Sequence, residues 1–145
     1  MLLISGAGVR NPVWALFARE RPGATRLRGL SRGQHDILTH NMGSISVACY
    51  KPKPGCEEAL LELVRHHLPP LRAEKLITDS VSIVMRAGDG TIIEVFEWVS
   101  QEAIAGAHSN PAVLDLWKRF EAVCTYVVPS TIAEFTKMFA HFEPI

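Results

Sequence analysis

Four side chains in this sequence have types and positions that could move a proton: His67, Glu94, Glu97 and His108. An imidazole and a carboxylate that meet inside an apolar cavity make an acid–base pair, because burial opposes charge on each group while the partner's charge favours it. The elements carrying these residues decide whether they meet. Ala103, Ile104, Ala107 and His108 recur at helical spacing, which turns the His108 imidazole inward on a short helix opened by Ser100 and stopped by Ser109-Asn110-Pro111. His67 falls on the inward stripe of an earlier helix, with Leu60, Leu63, Val64, Leu68 and Leu71. Glu94 and Glu97 have opposite parity on one strand, so one points beneath the helices and the other to the far face, and the phase alone does not say which.

Each of these residues also has a plain structural role open to it. His108 could bind carbonyls or a serine at its own helix end, and His67 could hydrogen-bond within the core. The glutamates could be ion-pair partners of Arg86 or Lys118. Phe96, Trp98, Trp117 and Phe120 read as core and as walls of a small-molecule cavity, which makes them candidate substrate-binding residues beside His67. His67, His108 and a glutamate offer metal-binding atoms but no diagnostic spacing, and no metal or other cofactor is expected. The chain has no GxSxG, HExxH or GxxxxGK motif. The opening SGAGVRN imitates a dinucleotide-binding turn, but Asn11 stands where the third glycine belongs and Pro12 follows at once.

The positioning elements follow from periodicity and turn chemistry. SISVACY, 44–50, reads as a strand ended by KPKPG. A helix runs from Cys56 and is interrupted near its end by Pro69-Pro70. Strands at 80–86 and 91–99 form a hairpin about AGDG. After the Ser100 helix, Pro111 opens a helix whose inward positions are Val113, Leu116, Trp117, Phe120, Val123 and Cys124. After TYVVPS, which takes no assignment, 131–135 reads as a short helical turn and MFAHFEPI as the last strand. The order β-α-β-β-α-β predicts an α+β, ferredoxin-like fold: a four-stranded antiparallel sheet with helices on one face. In TIIEVFEWV both strand faces are mostly apolar, so the face away from the helices needs a cover, and a second copy of the chain supplies one in a homodimer.

Composition narrows the partners. Lysine plus arginine and aspartate plus glutamate number 15 each, so no overall field draws the chain to nucleic acid or an anionic membrane. No apolar run approaches the ~20 residues of a membrane span, which points to a cytoplasmic protein. Cys49, Cys56 and Cys124 are odd in number and lack zinc-site spacing, and read as free thiols. Residues 1–43 take all their basic charge from arginine and read as an N-terminal extension, either disordered or translated from a start upstream of Met42. The folded domain is expected over 44–145.

FEWVSQEAIAGAHSNPAV, following YKPKPGCEEALLELV, resembles the antibiotic biosynthesis monooxygenase-like proteins of the dimeric α/β-barrel superfamily. The likeness spans about 45–145 and is carried by Phe96-Glu97-Trp98 at the strand end, Ser100, the small residues Ala103 and Ala107, and His108. It implies a dimeric α/β barrel, a cavity between helices and sheet, and a small apolar or aromatic ligand. It also implies a cofactor-independent monooxygenase acting on a small aromatic or polyphenolic compound, with His108 and a glutamate, Glu94 or Glu97, as the acid–base pair. Where the haem-degrading members carry a tryptophan and a histidine, this chain has Ala107 and Trp117, so haem degradation is not implied. The alternative is a non-enzymatic dimeric ligand-binding or stress-response module using the same cavity.

Overall fold

A computed structural model describes residues 43–145. The expectations about the arginine-rich extension, its glycine turn and a start at Met42 lie outside the described residues.

Strand β1 (Ser44–Pro52) ends in a turn where Gly55 takes φ +77°, a left-handed conformation that glycine adopts without steric cost. Helix α1 (Glu57–Arg65) begins with two acids whose charge complements its free amide ends, and it buries Leu60, Leu61 and Val64. The proline pair then begins a helix rather than ending one. In α2 (Leu68–Ala73) Pro69 and Pro70 occupy the first turn, where an amide hydrogen would have no helical partner. His67 sits at the break between the two helices and is buried.

Strands β2 (Ile83–Arg86) and β3 (Ile92–Trp98) form the expected hairpin. Its turn is closed by the Ala87 N–H donating to the Thr91 carbonyl at 2.9 Å, with Gly90 at φ +86°. Helix α3 (Gln101–Ala107) is capped by Ser100, whose hydroxyl accepts from the Ala103 N–H. Helix α4 (Pro111–Val123) is capped by the Asn110 side chain and starts on Pro111.

The path after α4 departs from expectation. Cys124, expected as an inward position of the helix, is already extended at φ −141°, ψ 170°, so the chain enters β4 (Cys124–Tyr126) directly and pairs with β1 in a stretch that local pattern leaves unassigned. With that edge of β1 taken, the final segment passes through two 3-10 turns, Pro129–Thr131 and Ala133–Thr136. It then adds a short β5 (Glu143–Pro144) to β2 at the outer edge, where a proline's missing donor is tolerated. The sheet order is β4-β1-β3-β2-β5 and every pairing is antiparallel. This α+β architecture is compatible with the ferredoxin-like arrangement, with a fifth strand added to the expected four. Among the described residues no helix is long and apolar enough to cross a membrane.

Two apolar layers flank the sheet. Toward the helices, Ile92, Phe96 and Trp98 pack with Leu60, Leu71, Val113 and Phe120. On the far face the expectation that the chain has no cover of its own needs amending. Ile132 packs with Cys49, Ala87 and Ile93, joined by Val127 and Phe142, so the C-terminal segment shields part of that face. The rest stays open, with Ile45 70% exposed and Ile83 57% exposed.

If Ile132 anchors this segment, Ile132→Ala loses about 2–5 kcal/mol in urea melts, the range for emptying a filled core site, while Val81→Ala at a 91% exposed position changes stability by less than about 0.5 kcal/mol.

Candidate functional site

The even-numbered residues of β3 face the helices, so Glu94 comes to lie beneath them, fully buried at the centre of the sheet. A carboxylate so placed needs hydrogen-bond donors, because an unpaired buried charge is strongly destabilising. Two are supplied to the same oxygen. The Tyr50 hydroxyl donates to Glu94 Oε2 at 3.0 Å, and His67 Nδ1 lies 2.7 Å from that atom. Tyr50 comes from β1, one pair along from Ala48, which faces Glu94 across the strands. His67 comes from the α1–α2 break. Burial, followed by the negative charge of Glu94, pushes the Tyr50 phenol well above its ordinary value, so it stays protonated and serves as a donor. A carboxylate oxygen accepts, so the hydrogen of the 2.7 Å contact sits on His67 Nδ1, and Nε2 is the ring nitrogen left for another partner. The His67 ring is held edge-on by its neighbours, with centroids 5.0 Å from Phe120 and 5.7 Å from Phe96. The second oxygen, Oε1, has no hydrogen-bond partner among the described residues.

His67 lines a cavity of about 260 Å³ between helices and sheet. That is slightly below the ~300–1,000 Å³ of pockets for drug-sized ligands, and suits a molecule of one or two rings. Phe96, Trp98 and Ile104 give it apolar walls, and Tyr50, Tyr126 and Ser46 bring hydroxyls to it. Ser46 to Tyr50 of β1 line one side of it. Along that strand β4 pairs only with Tyr50 to Pro52, the Val127 N–H makes one further bond to the Cys49 carbonyl, and Val128 and Pro129 continue the lining.

Of the residues singled out in the sequence, His67, Phe96, Trp98, His108 and Trp117 all line this cavity. His108 caps α3, half-buried, with its ring 5.1 Å from that of Trp117. Phe120 is not a lining residue; it lies behind, against the rings of Tyr50 and His67. Glu97 is on the opposite face of the sheet. Its Oε2 accepts from the hydroxyls of Ser80 at 2.7 Å and Thr78 at 3.0 Å, and these bonds hold its carboxyl below the ordinary range. Neither glutamate pairs with Arg86, which binds Glu143 at 3.2 Å. The imidazole that engages a buried carboxylate is therefore that of His67, and the carboxylate is that of Glu94.

Tyr50, Tyr126 and Ser46 were not among the sequence candidates. Tyr50 and Ser46 share the parity of the inward face of β1, a signal that was available. Tyr126 sits in a stretch that local pattern leaves unassigned. Among the described residues no group of three histidine, cysteine, aspartate or glutamate side chains could hold a metal ion. No protein-family model matches this chain, and no curated protein matches it.

Burial also raises two thiols, Cys49 at the cavity edge from an ordinary 9.0 to about 11, and Cys124 to about 12. A folded-state value raised above the unfolded one gives stability that is complete below the unfolded value and disappears as pH climbs through the folded one. Urea midpoints should thus hold steady up to about pH 8.5 and fall between about pH 9 and 12, with a shallower fall for Cys124→Ala. In native protein an alkylating reagent at pH 8 should modify Cys56 and spare the other two thiols.

Proposed function

We propose that the cavity binds a small aromatic compound of one or two rings bearing a phenolic hydroxyl, and that the chain acts on it as a cofactor-independent monooxygenase. One observation supports this reading above others: Glu94 fixes His67 through Nδ1, so that Nε2 is offered to an apolar cavity. A ring nitrogen held in that way by a carboxylate is organised to accept a proton. His67 takes the phenolic proton, and the resulting phenolate is electron-rich enough to react with dioxygen directly. One oxygen atom enters the ring and the other leaves as water, which takes the phenol to a quinone. The apolar walls keep bulk water from the reacting ring. His108 and Trp117 form one wall, and Tyr126 adds a hydroxyl whose proton burial retains.

Oxygen consumption with a panel of simple phenols tests the reading. His67→Gln should lower the rate by about a hundredfold or more, as expected for loss of a general base, while thermal melts show a folded protein. If His108→Ala produces that loss and His67→Gln does not, the base is His108. Binding of phenols without any oxygen consumption would leave a ligand-binding module in place of an enzyme.

We further propose that the chain works as a homodimer. Ile45, Val47 and Ile83 remain exposed on the far face, with Val47 and Ile83 both opposite Val95 in the register of β1, β3 and β2, and Val99 is exposed just past the end of β3. Monomers rarely leave such a patch in water, and an identical sheet matches it in shape and polarity. Sedimentation of the full chain at micromolar concentration should give a dimer, and Val47→Glu should shift it to monomer.

A further inference from the structure

The cavity has a second polar end. Ser46 lines it, and its Oγ accepts the indole N–H of Trp98 at 2.9 Å. An indole nitrogen only donates, so the serine must be the acceptor in this contact. One lone pair of Oγ is thereby anchored, and the hydroxyl hydrogen is turned away from the indole. That hydrogen meets no acceptor among the described residues. Ser46 pairs with Phe96 and Ala48 with Glu94 on the same face, so the serine lies one strand repeat, roughly 7 Å, from the level of the buried carboxylate. Between the two levels the lining is aromatic and aliphatic.

We infer that Ser46 is a specificity-determining residue: its anchored hydroxyl selects aromatic ligands that carry a carbonyl oxygen opposite the phenolic hydroxyl, that is, hydroxyaryl ketones and aldehydes. This rests on the reading of the cavity as a phenol site facing His67 and adds the recognition of the ligand's far end. A carbonyl accepts the free serine hydrogen, whereas a methylene there would leave that donor buried and unpaired.

Titration calorimetry on the full chain with three shape-matched probes tests the inference: para-hydroxyacetophenone, para-ethylphenol and acetophenone. The first should bind about five- to tenfold more tightly than the second, the worth of one hydrogen bond. In Ser46→Ala that preference should shrink to within about twofold, and Ser46→Thr, which keeps the hydroxyl, should restore it. Trp98→Phe retains the serine without its anchor and should give an intermediate preference. A ketone preference that is missing in the native protein, or that survives in Ser46→Ala, would overturn the role of Ser46 while leaving the phenol site standing, because both phenols still bind. Acetophenone binding as tightly as its hydroxylated counterpart, or no binding of either phenol to a protein that melts cooperatively, would overturn the phenol reading and the inference with it.

Discussion

A carboxylate on the central strand, sealed beneath helices, constrains much of what surrounds it. Glu94 cannot be left alone there, since the effective penalty for an unpaired buried ion is several kcal/mol. The two donors that satisfy it come from different parts of the chain. Tyr50 is delivered by strand register and therefore follows from the pairing of β1 with β3. His67 is delivered by a helix break, and that break depends on prolines that can start α2 but cannot continue α1. The polar network thus ties sheet register to helix path: a slip of either would leave a charge without its partner. Aromatic rings close around the network, with the Tyr50 and Phe120 centroids 5.0 Å apart. They exclude water from the bonds they surround and so strengthen them.

The cavity lies where one edge of β1 is only partly paired. Strand β4 extends for only three residues and pairs with Tyr50 to Pro52, so among the described residues Ser46 to Ala48 have no strand partner on that edge, and these residues line the cavity.

Much of this architecture was legible in the sequence where local chemistry and global need agree. The hairpin about Gly90, the Ser100 cap, the helix start at Pro111 and the inward stripe through His67 are determined by turn residues and periodicity, and they lie where those signals put them. The end of the chain was not legible. TYVVPS has β-branched residues together with a proline and a serine, and what makes its first two residues a strand is the vacant edge of β1, a tertiary fact absent from local pattern. The same limit hid the hydrogen-bond partners. Parity says that Glu94 and Glu97 point opposite ways, but only the register with Ala48 and the depth of α2 bring His67 to Glu94 and leave Glu97 to Thr78 and Ser80. For Ser46 and Tyr50 the strand parity gives the face, but not the partner that makes a hydroxyl part of a site.

The two faces of the sheet are not independent. Glu94 and Val95 are adjacent on β3, so the strand that holds the buried network also floors the apolar far face. Val47 belongs to both sides: it is part of the exposed patch, and it lines the cavity. In the proposed dimer a second copy seated on that patch would reach the cavity at Val47, whereas the bonds of Glu94 to Tyr50 and His67 are made wholly within one chain. Damage to such an interface would be felt first at Val47 and only secondarily in those bonds, a separation that follows from the network's donors both lying on the helix side of the sheet.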